Sequence, residues 1–317
     1  MTGKCPKHML LFLSASAIVG AADEYIVDID KSKGYDEEDY VKLGDIGSGC
    51  FGAVSKIEEK KTGKIYVLKT FVDGSEGYEH ATKEINALKQ LKHENIVRMA
   101  ASSDIANRHK DGFVHIVLEY MPSDLDAALR SHPETKENIR EILYQILNGV
   151  AHIHSKNLAH GDINIKNILI DPTKLAMKIC DFGNCREGEE EETFLGKPID
   201  GYYNDSLSIV DLVGYFYLGD CFSDWISLKM FSIDEMECFL EGQRNGVILD
   251  SSLGELYKEM KGVVSKNGLE LFIQLLASER IGGCTTAAEA LKHPFFTEGR
   301  EQDPPTKEPK KRHLCSY

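Results

Sequence analysis

Three polar residues near the middle of the chain have the types and spacing that phosphate chemistry needs. Asp162 and Asn167 lie five residues apart between two apolar segments, and Asp181 follows, directly before Phe182 and Gly183. A carboxylate can accept the proton of an attacking hydroxyl group, while an asparagine and a second aspartate offer the oxygen ligands that Mg²⁺ takes beside phosphates. The sequence therefore predicts Asp162 as the catalytic base and Asn167 and Asp181 as metal ligands. A polar loop that serves only solubility is the alternative.

A glycine-rich string lies upstream, between two stretches whose alternating pattern predicts strands. Three glycines recur as G-x-G-x-x-G, and Lys69 ends the next predicted strand. Dinucleotide-binding proteins place the same string between a strand and a helix, whereas here it forms a predicted hairpin. Glycine suits such a loop because backbone amides reach phosphates only where no Cβ obstructs them. The residues predicted to cover the phosphates are Ile46, Gly47, Ser48, Gly49, Cys50, Phe51, Gly52, Ala53 and Val54.

These motifs together resemble those of the eukaryotic protein kinases. The run from His160 to Asn167 resembles the catalytic loop H-R-D-x-x-x-x-N, and Asp181 begins a D-F-G sequence. The glycine string and Lys69 resemble the kinase patterns G-x-G-x-x-G-x-V and V-A-I-K. The order and spacing of the motifs match the family throughout.

The resemblance covers about residues 40–297 and implies an α+β, bilobal protein-kinase fold. A small β-rich N-lobe is expected at residues 40–120 and a large helical C-lobe at residues 121–297. ATP is expected in the crevice between the lobes. The strand-rich stretch does precede the helical one in the sequence, which agrees with this expectation.

The resemblance also assigns roles around the nucleotide. Glu84 is expected to pair with Lys69 and to hold its ammonium over the phosphates. The backbone at Glu119 and Met121 is expected to bind adenine in the hinge between the lobes. The short Asp-Leu segment after the hinge is similar to that of the cyclin-dependent group. The implied activity is that of a serine/threonine protein kinase that uses ATP and Mg²⁺ and acts on a protein substrate.

Several departures from the family pattern bear on activity. Gly161 replaces the arginine that often grips a regulatory phosphate, and Asn164 replaces the lysine that neutralises the γ-phosphate. Lys166 lies two residues further on. The A-P-E sequence is missing, and its best alignment puts Ile199 where a glutamate would pair with Arg280, with Asp200 as a substitute. A pseudokinase, or a nucleotide-binding scaffold with weak or no transfer, is therefore the alternative function.

Possible partners are indicated only weakly. The segment before Glu84 matches the cyclin-binding helix signature only at Ala81 and Glu84, so a cyclin-like activator has little support. The stretch 187–192 carries five glutamates. They could replace a regulatory phosphate or favour basic substrates, and a solvated acidic loop is an equal alternative.

Two further expectations concern the C-lobe. Proline at position 133 predicts the start of a helix that runs to His154 with an apolar stripe facing the core. Asp211 is expected to be the buried aspartate that anchors the catalytic loop.

The composition of the chain argues against several other classes of protein. The formal net charge is −14, which argues against a nucleic-acid-binding surface. The eight cysteines are scattered with spacings that fit neither a zinc site nor a disulfide framework. No stretch is apolar over a length that predicts a membrane span.

The two ends of the chain differ from the rest. Residues 1–22 have the basic, apolar and small-residue layout of a signal peptide, although a short helix is the alternative. Residues 23–39 are predicted to be an acidic linker, and residues 298–317 a disordered tail. A cleaved signal would place the protein in the secretory pathway or outside the cell, and otherwise the nucleus or cytoplasm is expected.

Overall fold

The chain folds into a β-rich lobe followed by a helical lobe, as the sequence predicts. The computed structural model describes residues 34–49, 52–72, 74–105, 112–194, 197–219, 231–247, 251–277 and 286–299. The signal-like segment at 1–22, and with it the prediction of localisation, lies outside these residues.

A five-stranded antiparallel sheet forms the N-lobe, in the order β1-β2-β3-β5-β4. The strands are β1 (Tyr40–Gly49), β2 (Gly52–Glu59), β3 (Ile65–Phe71), β4 (Met99–Ser102) and β5 (Val114–Glu119). The register between β2 and β3 aligns Val54 with Lys69, which puts the lysine beneath the glycine-rich hairpin.

One helix, α1 (Ser75–Gln90), packs against one face of this sheet. Its buried positions, including Ala81, Ile85 and Leu88, recur at helical spacing and join the main core. Glu84 lies on the same buried face, so the packing of its neighbours fixes where its carboxylate points.

The other face of the sheet carries a second, smaller apolar cluster that includes Tyr40, Tyr66 and Val117. Tyr35 packs on this cluster, and its backbone N–H donates to the Ser102 carbonyl over 2.9 Å. The last residues of the predicted linker are thus attached to the N-lobe at Tyr35, because this aromatic side chain covers apolar surface of the sheet.

Helices build the C-lobe. Their bounds are α2 (Leu125–Ser131), α3 (Pro133–Glu137), α4 (Ile139–His154), α5 (Gly201–Leu218), α6 (Ile233–Arg244), α7 (Ser252–Lys261), α8 (Lys266–Leu276) and α9 (Ala287–Ala290). The predicted apolar stripe of α4 is buried from Ile142 to Ile153. The single helix predicted from Pro133 is divided, since α3 ends at Glu137 and α4 begins after Asn138.

Short strands of the C-lobe carry the segments that face the N-lobe. The strands β6 (Ser123–Asp124), β8 (Ile168–Asp171) and β9 (Ala176–Ile179) form one small sheet. Two further pairs are β7 (Leu158–Ala159) with β10 (Arg186–Glu187), and β11 (Glu192–Phe194) with β12 (Lys197–Ile199). The catalytic-loop sequence lies between β7 and β8, and its ends are therefore fixed by two different sheets.

The described chain ends at residue 299, just inside the predicted tail. Arg140 on α4 donates to the Glu298 carbonyl over 2.6 Å and to its carboxylate over 3.0 Å. Asn267 donates to the same carboxylate over 2.6 Å. The prediction that the tail begins at 298 is therefore wrong by at least one residue, because these contacts hold Glu298 on the lobe. Among the described residues, no helix has the length and apolar character to cross a membrane.

Candidate active site

A cleft between the two lobes is lined by eight of the sixteen residues predicted to act on a nucleotide, and Asp162 lies outside that lining. The side chains that line it are Ile46, Val54, Lys56, Val67, Lys69, Glu84, Val97, Leu118, Glu119, Tyr120, Met121, Pro122, Ser123, Asp124, Lys166, Asn167, Leu169, Cys180 and Asp181. Apolar residues from both lobes enclose one part of the cleft, while charged residues converge in another, as an adenine ring and a phosphate chain together require.

The ammonium of Lys69 joins two carboxylates that come from different lobes. Its Nζ lies 2.6 Å from Glu84 Oε2 on α1 and 2.7 Å from Asp181 Oδ1 after β9. The Glu84 side chain is fully buried, and that of Lys69 is nearly so. The structure therefore brings together three residues that are far apart in sequence.

Burial and charge act in opposite directions on this group. Burial favours the neutral amine of Lys69, but the two carboxylates outweigh it and hold its pKa above the ordinary value. For Asp181, burial favours protonation, yet the ammonium of Lys69 holds the pKa below its usual value of 3.8. Burial raises the pKa of Glu84, and Lys69 opposes that rise. The lysine is therefore positively charged at neutral pH, as a phosphate site requires.

The loop after β7 aims the carboxylate of Asp162. Asn164 Nδ2 donates to Asp162 Oδ1 over 3.1 Å, and Asn167 Nδ2 donates to Asp162 Oδ2 over 3.0 Å. Asn164 Oδ1 accepts in turn from the backbone N–H groups of Lys166 and Asn167, over 2.9 and 3.2 Å. The Asn164 side chain thus closes a local turn with its oxygen and orients the carboxylate of Asp162, the predicted base, with its amide nitrogen.

Asp181 has a backbone conformation that few non-glycine residues adopt, with φ of 66° and ψ of 72°. Phe182 behind it is fully buried and packs edge-on against His160 at a ring distance of 4.8 Å. His160 Nε2 also lies 3.0 Å from the Cys180 carbonyl oxygen. Strain of this kind persists only where neighbours enforce it, so the packing of Phe182 and His160 keeps Asp181 turned into the cleft.

A buried aspartate anchors the catalytic loop, but it is Asp205 and not the predicted Asp211. The Asp205 carboxylate accepts from the backbone N–H of His160 over 2.8 Å and from that of Gly161 over 2.9 Å. Its Oδ2 also lies 3.0 Å from His154 Nε2. Both aspartates belong to α5, but six residues of helix turn Asp211 well away from the loop. Both are acidic residues of the same helix, so the sequence of the helix alone did not distinguish Asp205 from Asp211.

The backbone conformation at position 161 and the atoms around it require glycine. Its φ is +79°, and a Cβ at this position would lie 2.7 Å from the Asn184 carbonyl oxygen. An arginine therefore cannot stand here with the backbone in this conformation. Glycine at the position of the family's arginine therefore allows the catalytic loop to lie close to the segment after Asp181.

The predicted glycine loop is only partly described. Ile46 and Val54 line the cleft, and the hairpin pairs Gly47 with Val54 and Ser48 with Ala53. A Cβ on Gly52 would lie 1.8 Å from the Thr70 carbonyl oxygen, so this position admits only glycine. The predicted residues Cys50 and Phe51 lie outside the described residues.

The hinge residues Glu119 and Met121 line the cleft as predicted, and Glu119 also connects the lobes. Its Oε1 accepts from the Arg98 backbone N–H over 2.7 Å and lies 3.1 Å from Lys178 Nζ on β9. Leu118 precedes it in β5, whose first five residues are buried. The backbone after Leu118 is thus held at the edge of the cleft where an adenine ring would lie.

Asp124 and Lys166 also line the cleft, although the sequence did not predict this position for either residue. Asp124 caps α2 through a 2.7 Å bond from the Ala127 N–H, and burial raises the pKa of its carboxyl group. Lys166 lines the cleft on the catalytic-loop side, and its charge opposes that rise. A polar residue directly after the hinge was the available signal for Asp124.

Comparison with known proteins settles the family. Residues 40–204, slightly more than half of the chain, match the family model for the protein kinase domain. The chain belongs to the protein kinase family.

Among curated proteins, this kinase is similar to the cell division control protein 2 homolog D of Antirrhinum majus. The two are 32% identical over 166 residues, which is 50% of this chain and 53% of the relative. The chain thus covers about half the length of that relative. The similarity supports the expected resemblance to the cyclin-dependent group.

In the segment between Asp181 and α5, the prediction that Asp200 substitutes for the missing glutamate stays a prediction. Asp200 caps α5 by accepting from the Tyr203 N–H over 2.7 Å, and Arg280 lies outside the described residues. The side chains of Glu187, Glu189, Glu190 and Glu191 are exposed. Their role, whether in place of a phosphate or toward basic substrates, stays a prediction.

The donor set fits Mg²⁺ bound together with a nucleotide. Asn167 turns its Nδ2 toward Asp162 and therefore its Oδ1 away from it, and Asp181 has a second carboxylate oxygen beside the one that contacts Lys69. In the part of the chain that the structure describes, no three His, Cys, Asp or Glu side chains converge as a metal cage. Asn167 and Asp181 would therefore hold the ion with phosphate oxygens completing its ligand shell.

Proposed function

We propose that this kinase is an ATP- and Mg²⁺-dependent serine/threonine protein kinase similar to the cyclin-dependent group. The observation that carries the proposal is the Lys69 ammonium, which lies within 2.7 Å of both Glu84 and Asp181 in the same cleft as Asn167. Kinases need this ion pair and this aspartate in place for transfer. A protein that had lost catalysis would have no need to keep all of them aligned.

Each residue of the site has a separate role in phosphoryl transfer. Asp162, oriented by two asparagines, takes the proton of the substrate hydroxyl as its oxygen bonds to the γ-phosphorus. The bond from that phosphorus to the bridging oxygen breaks, and ADP leaves. Lys69 holds the phosphate chain in line, and Asn167 and Asp181 would hold the metal. Bound Mg²⁺ neutralises charge on the phosphate oxygens.

The second candidate is a pseudokinase that binds nucleotide without transferring phosphate. Asn164 favours it, because a neutral amide stands where the family has a phosphate-neutralising lysine. One missing charged donor is worth on the order of 10²–10³ in rate. This loss slows transfer but does not by itself abolish it.

A transfer assay with radiolabelled ATP and a general protein substrate separates the two functions. The informative variant is Asp162→Ala, and Asp171→Ala, at the far end of β8, is the matched control. We expect the Asp162 variant to lose about 10²-fold or more in phosphate incorporation while it still binds ATP, and the control to keep its rate. Nucleotide binding with equal, background-level incorporation in all three proteins would establish the pseudokinase instead.

The same assay, run with and without cyclins, addresses the activator. The exposed side chains of α1 are polar: Glu76, Glu79, Lys83, Asn86, Lys89 and Gln90. Stable protein interfaces bury an apolar centre. The polar face of α1 and the formed Lys69–Glu84 pair support activity without a cyclin, so the rate is expected to be the same in both arms.

Localisation rests on the N-terminus. We propose entry into the secretory pathway, on the basic and apolar layout of residues 1–22. Mass spectrometry of the mature protein tests this, and an intact N-terminus on protein purified from its source would refute it.

A further inference from the structure

The acidic segment, residues 187–192, is attached to the C-lobe although its own charges repel one another. Five of its six residues are glutamates, and the side chains of Glu187, Glu189, Glu190 and Glu191 are exposed. Like charges at this density favour an extended and unattached chain. Gly188, in the middle of these glutamates, is nevertheless buried. The attachment of the segment therefore centres on this glycine.

The ring of Tyr202, in the first turn of α5, covers Gly188. A Cβ on Gly188 would lie 1.9 Å from the ring, so the ring rests directly on the glycine backbone. The Tyr202 hydroxyl donates to Asn157 Oδ1 over 2.6 Å, and its ring packs edge-on against His154 at a ring distance of 4.8 Å. Tyr202 thus joins the acidic segment to the turn that follows α4.

Backbone hydrogen bonds hold the same three segments together. The Gly188 N–H donates to the Asn157 carbonyl over 3.1 Å, and the Gly201 N–H donates to the Gly188 carbonyl over 2.8 Å. Both polar backbone groups of Gly188 are therefore satisfied. The ring of Tyr202 covers this glycine, and hydrogen bonds shielded from water are electrostatically stronger.

The acidic segment borders the catalytic loop. It begins in β10, which pairs with β7, and β7 ends directly before His160. Upstream of it, the Asn184 carbonyl oxygen lies 2.7 Å from the position that a Cβ on Gly161 would take. A protein substrate that brings its hydroxyl group to Asp162 therefore passes this part of the chain.

We propose that Tyr202 is a positioning residue for the protein substrate, because it holds the acidic segment on the C-lobe beside the catalytic loop. This inference deepens the proposed function and rests on it. The contacts of Tyr202 are uncharged, so the segment is held without a phosphate group. A phosphate would meet unfavourable charge here, since Thr193, the one hydroxyl-bearing residue between the D-F-G sequence and α5, follows four consecutive glutamates.

The test removes these contacts one at a time from the full chain. Tyr202→Phe removes the hydroxyl group and keeps the ring. Asn157→Gly removes the acceptor, and glycine adopts the φ of 57° found there without strain. Gly188→Ala puts a methyl group where the ring lies. Tyr215→Phe is the matched control, since the Tyr215 hydroxyl donates to Asp126 over 3.0 Å from near the other end of the same helix.

Two measurements are made on each protein. A glutamate-specific protease cleaves the acidic segment at a rate that follows how often the segment leaves the C-lobe, and mass spectrometry locates the cuts. Steady-state kinetics with ATP and dephosphorylated casein give kcat and the KM for each substrate. Thermal melting reports folding.

We expect Tyr202→Phe and Asn157→Gly each to speed cleavage about fivefold and to raise the KM for casein by about as much, because both lose the same hydrogen bond. The double variant should match either single variant, since the two side chains share that bond. Gly188→Ala should exceed both. For the two side-chain variants, kcat and the KM for ATP should equal those of wild type, and melting should fall no further than in Tyr215→Phe.

Three results would overturn the proposal. Unchanged cleavage in Tyr202→Phe would show that this contact does not hold the segment. Faster cleavage with an unchanged KM for casein would show that the segment has no part in substrate binding. Equal rises in the KM for ATP and for casein would show that the variants loosen the whole cleft.

Binding of casein separates this inference from the proposed function. If the wild type shows no transfer, the proposed function fails, and the dissociation constant for casein replaces its KM. Weaker casein binding in Tyr202→Phe than in Tyr215→Phe would then still support the role of Tyr202, and equal binding would overturn it.

Discussion

Replacing Asp205 by alanine should uncouple the catalytic loop from the helix beneath it. The carboxylate is fully buried and accepts from the backbone N–H groups of His160 and Gly161 over 2.8 and 2.9 Å, with His154 Nε2 at 3.0 Å. Hydrogen bonds to a charged group contribute about 1.5–3 kcal/mol each. The sum of these hydrogen-bond contributions exceeds the net free energy by which the carboxylate stabilises the fold, because removing the carboxylate from water costs free energy. Removing one partner of such a buried group typically costs about 3–5 kcal/mol.

Urea unfolding and ATP binding measure this cost together. With an m-value of about 2 kcal/mol/M, the midpoint for Asp205→Ala should fall by about 1.5–2.5 M. The same variant should bind ATP less tightly, because the loop that carries Asp162 and Asn167 loses its support. Asp211→Ala is the matched control, since it removes a half-buried carboxylate from the same helix, six residues beyond Asp205.

The anchoring argument fails under either of two results. One is a midpoint for Asp205→Ala within about 0.5 M of wild type. The other is an equal loss in the Asp211 variant, which would mean that any carboxylate of α5 matters equally and that the bonds to His160 and Gly161 carry no special weight.

Two further predictions concern the same loop. Gly161→Ala and Gly246→Ala both put a side chain at positive φ, +79° and +70°, but only the first meets a carbonyl oxygen at 2.7 Å. The Gly246 variant should lose about 1 kcal/mol of unfolding free energy and the Gly161 variant clearly more, as urea midpoints will show; equal losses would contradict the close approach to Asn184. The second prediction concerns pH: burial opposes ionisation of Asp205, but His154 and the backbone donors hold its pKa below the usual 3.8. Its contribution is therefore present above about pH 4 and lost as pH falls through the folded pKa, so Asp205→Asn should reduce the acid dependence of the midpoint between pH 2 and 5; an unchanged slope would contradict it.

The sequence predicts those parts of the site that lie in short contiguous strings. Asp162, Asn167 and Asp181 each belong to a motif whose spacing has a chemical meaning, and Lys69 follows its glycine string within the same hairpin unit. The helical period predicts a helix around Glu84, and the resemblance to the protein kinases assigns its pairing with Lys69. The structure brings Lys69, Glu84 and Asp181 within hydrogen-bonding distance, and the two-lobe fold agrees with the order of strands and helices.

The remaining features depend on contacts between segments far apart in the chain. Asp205 and Asp211 are both acidic residues in an apolar helix, and only the position of the loop after β7 distinguishes them. Tyr35 lies in an acidic stretch without periodicity, so its packing on the N-lobe sheet has no local signal. The role of Asn164 depends on the turn that it closes, which a comparison of residue types alone describes as a lost lysine.

The side chain of Glu119 has a consequence for how the two lobes can move relative to each other. It contacts the Arg98 backbone in the N-lobe and the Lys178 ammonium on β9 in the C-lobe. Any rotation that opens the cleft must stretch this connection. Opening of the cleft between the two lobes is thereby coupled to the ionic strength around this contact.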